Sequence, residues 1–158
     1  MTITGPGPLD PSLWLSASPV TVELRGASME PFLSNGDRVE VVITAREDLK
    51  AGDLVVFRRG EETVVHRFLK GLPGRFLEKG DGQACGNWHP WPAQMGRVTA
   101  IHRGGLGSPV DSPLGAAALR RAARRHLWRH RVGRIALGLP GELPRRILLR
   151  LCGWILPV

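Results

Sequence analysis

The sequence lacks most of the marks that assign a chain to a compartment. It has two cysteines, Cys85 and Cys152, too few and too far apart for a disulfide framework. No apolar run reaches the roughly 18 residues that a transmembrane helix needs. Residues 1–19 hold no lysine or arginine and no long apolar stretch, so a secretory signal peptide is not expected. No internal repeat is present. Acidic residues almost vanish toward the C-terminus: between Ala116 and Val158, Glu142 stands alone against 10 arginines. From Met1 to Gly115, 12 Lys/Arg stand against 13 Asp/Glu. The formal net charge of +8 therefore divides into −1 for the body and +9 for the tail. An evenly basic chain would point to nucleic acid. This one joins a balanced body to a basic tail.

What is present suits one compact domain with an appendage. A chain of 158 residues with 42% hydrophobic side chains can bury a core. Residues 1–19, rich in proline, read as an irregular arm anchored by Trp14 and Leu15. Residues 20–110 read as strands. Val20–Leu24 alternates, and Arg38–Ile43 is β-branched and follows the turn signal Asn35-Gly36-Asp37. Further strands are expected over Asp53–Arg58, Thr63–Leu69, Arg75–Glu78 and Gly96–His102. Short strands punctuated by glycine and proline predict a mainly β fold, an antiparallel sheet curled toward a barrel. Residues 104–112 read as a linker. Ser112-Pro113 is a helix start, and 111–158 reads as a basic amphipathic helical tail. A helix to about Leu137 would bring Trp128, Val132, Ile135 and Leu139 to helical spacing. A second apolar stretch, Ile147–Leu156, closes the chain.

The stretch that carries chemistry is Gly26-Ala27-Ser28-Met29-Glu30-Pro31. A nucleophilic serine needs an exposed hydroxyl, a backbone donor and a base. Gly26 lets the backbone come close, and Pro31 stiffens the turn beyond the serine. Three further boxes follow in order: Gly52-Asp53, then His66-Arg67 in a strand, then Lys79-Gly80-Asp81. In this order, over residues 22–102, the chain resembles the type I signal peptidase family of serine peptidases. It resembles most the archaeal and endoplasmic-reticulum type, which uses histidine as base, and it shares the Gly-x-Ser-Met box with LexA-like peptidases. The resemblance implies Ser28 as nucleophile and His66 as general base. Asp81 either orients the imidazole or only shapes a Gly-Asp-Gly turn. Gly26, Met29 and Pro31 would shape the oxyanion site and the substrate cleft. Gly26 occupies the position where many members of the family carry a serine that helps bind the oxyanion. The implied fold is the family's β domain, followed here by C-terminal α-helices.

The expected function is a serine endopeptidase acting on a precursor or leader peptide. The alternatives are an inactive peptide-binding module of the same fold, or a LexA-like self-cleaving regulator. Cys85, His89 and His102 fit no zinc pattern, so neither metal nor other cofactor is expected. Asn87–Pro92 reads as an aromatic loop, lining a substrate cleft, helping to anchor the body to a membrane surface, or packed on its own aromatics. Asp37 and Asp53 read as turn caps. For the tail, peripheral contact with an anionic membrane or a partner is favoured over nucleic acid, because Ile147–Leu156 is apolar; the remaining alternative is that it packs on the domain with its arginines solvated. The protein is then expected in the cytoplasm or at a membrane surface.

Overall fold

A computed structural model describes residues 1–4, 19–110 and 113–138. Trp14, Leu15, Cys152 and the Ile147–Leu156 stretch lie outside the described residues. Nine strands and one α-helix occur among the described residues: β1 Thr2–Thr4, β2 Val20–Arg25, β3 Arg38–Ile43, β4 Leu54–Arg59, β5 Glu62–Leu72, β6 Arg75–Lys79, β7 Asn87–Pro90, β8 Gly96–Arg103, β9 Leu106–Pro109 and α1 Pro113–Gly138, with a single 3-10 turn at Arg46–Asp48. All pairings are antiparallel, and the order β1-β2-β3-β8-β4-β5 closes because β1 also pairs with β5. The result is a six-stranded barrel. β6 and β7 extend it beyond β5, and β9 flanks β8.

The strands expected from alternation are present. In β2 and β3 every second side chain (Val22 and Leu24, Val39 and Val41) is buried while its neighbours face outward. These residues join Met29, Leu33, Leu54, Val56, Val65 and Val98 in the barrel core. Each fully buried aliphatic side chain contributes about 1.5–3 kcal/mol. The opposite faces of β4 and β5 form a second cluster, with Val55, Phe57, Val64, Phe68 and Phe76.

Three segments differ from expectation. Thr2–Thr4, expected in the irregular arm, is the strand that closes the barrel. Leu106–Pro109, expected in a linker, pairs with β8. Asn87–Pro90 adds to β6, and the Trp91 indole stacks on Phe76 with ring centroids 5.1 Å apart. The loop does not pack on its own aromatics: Trp91 packs on Phe68 and Phe76 of β5 and β6, and Trp88 is exposed beneath Arg75. Short strands with glycine or proline carry little local preference. Neighbouring strands supply their backbone partners.

Among the described residues, no helix is long and apolar enough to cross a membrane. α1 lies on the body. Leu119, Ala122, Ala123 and His126 are buried, at spacings of three and four that define one helix face. Ala123 and Leu127 pack with Leu69 of β5 and Leu77 of β6. The helix comes so close to Gly52 that an added Cβ would lie 2.4 Å from the Leu119 carbonyl oxygen. Gly52 also has φ +109°, which an L side chain rarely adopts. Gly52→Ala is therefore expected to lower unfolding free energy by about 1–3 kcal/mol. Denaturant titration reads this, and an unchanged midpoint would contradict the close seating of α1.

Candidate active site

β2 ends at Arg25, and the turn after it carries Ser28. Leu33 N–H donates to the Met29 carbonyl and Glu30 N–H to that of Ala27, so the turn is wound on its own backbone. Met29 and Leu33 are fully buried below it, while Ser28 is only half-buried. The serine is thus fixed by its neighbours and still reachable. His66 comes from β5, and its Nε2 lies 2.9 Å from Ser28 Oγ. That is hydrogen-bond reach for a nucleophile and its base.

The carboxylate behind the imidazole is Glu78. His66 Nδ1 hydrogen-bonds Glu78 Oε2. The other oxygen, Oε1, accepts from Asn87 Nδ2 at 3.3 Å and lies 3.0 Å from His89 Nε2. Glu78 is completely buried. Burial alone would raise its pKa; the hydrogen bonds from His66, His89 and Asn87 outweigh that and hold it below the ordinary value. With Nδ1–H facing the carboxylate, Nε2 is left to take the serine proton.

Asp81 has a different place. Its carboxylate pairs bidentately with Arg67, at 2.8 Å to Nε and 2.6 Å to Nη2, and lies 3.2 Å from His126 Nε2. The reading of Asp81 as orienter of the His66 imidazole is thereby corrected. The cause is strand geometry: successive residues on β5 point to opposite faces, so His66 and Arg67 meet different carboxylates. Arg67 also donates to the Gly52 carbonyl, 2.9 Å, and stacks over the Phe32 ring at 4.9 Å.

The other residues read from the sequence fall as follows. Gly26 has φ +101° and donates its N–H to Asn35 Oδ1, 3.1 Å, so that N–H is not available to an oxyanion. The Met29 side chain is in the barrel core rather than lining a cleft. Pro31 is exposed on the turn. Asp37 and Asp53 cap turns, accepting from the Ser34 and Lys50 N–H groups at 2.8 Å each. Cys85 is a free thiol. No group of three or more His, Cys, Asp or Glu among the described residues is arranged to hold a metal ion.

Sequence reasoning missed Glu78 and His126, and weighed His89 only as a metal ligand. The available signal for Glu78 was its position: a charged residue directly after Phe76-Leu77, in a strand pairing with the one that carries His66.

The family model described as Peptidase S24-like matches residues 10–77. That segment, less than half of the chain, is similar to the family. The family is that of LexA-like and signal-peptidase-I serine peptidases, so the resemblance read from the motifs is consistent with it. At the level of the family this supports a hydrolase of the peptidase class. The searches of curated proteins and of solved structures gave no match. The S24-like segment contains Ser28 and His66. It stops one residue before Glu78, so Asp81 and α1 are features of this chain beyond the matched region.

Burial lowers His126 from 6.5 to about 3 and Lys79 from 10.5 to about 8. For His126 the sign is clear. Below pH 6.5 the unfolded chain binds a proton at this imidazole that the folded chain does not. Stability therefore falls as pH drops from 6.5 toward 3, by at most about 1.4 kcal/mol per pH unit. Unfolding titrations at pH 7 and pH 5 should show a shallower pH dependence in His126→Gln than in the wild type. Equal slopes would contradict it.

Proposed function

We propose that the protein is a serine endopeptidase that cleaves an extended precursor or leader peptide, with Ser28 as nucleophile, His66 as general base and Glu78 as the carboxylate that orients the base. The observation that carries this reading is the continuous line from Ser28 Oγ through His66 to Glu78. Ser28 Oγ attacks the scissile carbonyl while His66 Nε2 takes its proton. Glu78 holds Nδ1–H and balances the imidazolium charge. The imidazolium then gives its proton to the leaving amine. His66 next deprotonates a water, which hydrolyses the Ser28 ester and restores the free serine.

An extended substrate is supported by the barrel itself. Thr2–Thr4 lies as a strand between β2 and β5, pairing Thr2 with Arg25 and with Val64. The Met1 backbone nitrogen contacts Ser28 Oγ and lies 3.4 Å from His66 Nε2. A backbone strand laid along β2 thus reaches the nucleophile. Placement at an anionic membrane surface is part of the same proposal. The outward face of α1 carries Arg120, Arg121, Arg124 and Arg131 around Trp128 and Ile135, which are 41% and 61% exposed.

A panel of short extended peptides with a small residue before the cut tests the reading. The wild type should cleave at least one. Ser28→Ala should abolish cleavage, and Glu78→Gln should lower kcat by about 10²–10⁴-fold. Cleavage undiminished in Ser28→Ala would sink the mechanism.

A further inference from the structure

Beyond the serine, the histidine and the glutamate, the described residues hold a second buried set of polar groups: Arg67, Lys79, Asp81 and His126, all 5% exposed or less. Nothing in the proposed chemistry uses it. Its geometry nevertheless converges on the nucleophile. The turn Gly80–Gly82 passes directly beneath Ser28: Gly82 N–H donates to the Ser28 carbonyl, 3.0 Å, and a Cβ on Gly80 would lie 2.5 Å from that same oxygen. The turn is held on both flanks. On one, Asp81 is pinned by Arg67. On the other, Lys79 Nζ donates to the Gly80 carbonyl at 3.2 Å.

His126 joins the two flanks. Its Nδ1 lies 3.0 Å from Lys79 Nζ and its Nε2 lies 3.2 Å from Asp81 Oδ1. Lys79 supplies only donors and a carboxylate only acceptors. One neutral imidazole satisfies both, with Nδ1 accepting and Nε2–H donating. The lowered pKa of His126 agrees with that neutral state at pH 7. A second rung follows one turn along α1: Gly86 N–H donates to His130 Nδ1, 2.9 Å. There is no acidic residue in α1; besides the His126 imidazole it brings the Arg129 charge close to Lys79 and His126.

We propose that His126 is a positioning residue for acylation: from α1 it bridges Lys79 and Asp81 and so holds the Gly80–Gly82 turn against the main chain of Ser28. The proposal rests on the peptidase reading for its kinetic effect and on geometry alone for its structural effect. The basic helix is then part of the catalytic unit, with its inner face set on the nucleophile's support and Arg120, Arg121, Arg124 and Arg131 directed outward. A misplacement of about 1 Å at a reacting group can lower a rate on the order of 10²-fold, so a loosened turn should be visible in the rate.

The test uses the full chain, a fluorophosphonate as serine probe, and hydrogen exchange resolved at the 80–83 segment. His126→Ala should lower the limiting rate of phosphonylation by about 10- to 100-fold, with little change in the probe's half-saturation. Exchange at Gly82 should quicken while β2, β3 and β8 stay protected. His126→Gln, which can still accept from Lys79 and donate to Asp81, should recover much of both. Arg134→Ala, at an exposed position farther along α1, should leave the rate near wild type. Wild-type labelling rates and Gly82 protection in His126→Ala would overturn the proposal. So would a loss accompanied by faster exchange throughout the barrel with no rescue by Gln, which marks a merely structural residue. If the wild type itself is not phosphonylated, the peptidase reading falls, and Gly82 exchange alone decides the positioning claim.

Discussion

A carboxylate with no exposure to water must find partners for both of its oxygens, and the site is organised around that demand at Glu78. One oxygen takes His66; the other takes Asn87 and His89 from β7. The second demand explains β7. A four-residue strand with two exposed ends of little β preference is held to β6 by its backbone ladder and by this carboxylate. The aromatic packing of Phe57, Phe76, His89 and Trp91 around it keeps the region dry. Low polarity makes the His66–Glu78 interaction strong and keeps the imidazole in one orientation.

The same strand pair solves a second problem on its other face. Arg67, adjacent to His66, is fully buried, and an unpaired guanidinium there would destabilise the fold by about 3–5 kcal/mol. Asp81 neutralises it, the Gly52 carbonyl accepts from Nη1, and Phe32 of the serine turn covers its face. Lys79 then sits next to this pair, and the His126 imidazole of α1 accepts from it. The two faces of β5 therefore serve the same turn. One presents the base to Ser28, and the other fixes the backbone on which Ser28 rests.

Much of this was legible in the sequence. Alternation placed β2, β3 and β8 within a residue of their observed ends, and the ordered boxes led to Ser28 and His66, which the fold brings together. The misassignment of Asp81 has a physical origin. It lies in a Lys-Gly-Asp box that resembles a family feature, whereas Glu78 looks like an ordinary strand residue. Only the cross-strand register decides which of two carboxylates three residues apart meets the histidine. Thr2–Thr4 is β-branched throughout but reads together with the proline-rich residues that follow it, and Leu106–Pro109 reads as linker although Gly104-Gly105 is the two-residue turn that folds it back on β8. The helix was legible from Pro113 and its spacing. Its inner face was not, because alanine, glycine and histidine mark a docking surface far less clearly than leucine does.

The central claim is that Glu78, and not Asp81, stands behind the His66 imidazole. Proton NMR of the strongly deshielded His66 Nδ1–H tests it most directly. The account predicts a far-downfield resonance in the wild type that persists in a folded Asp81→Asn variant and disappears in Glu78→Gln. Persistence in Glu78→Gln together with loss in Asp81→Asn would contradict it.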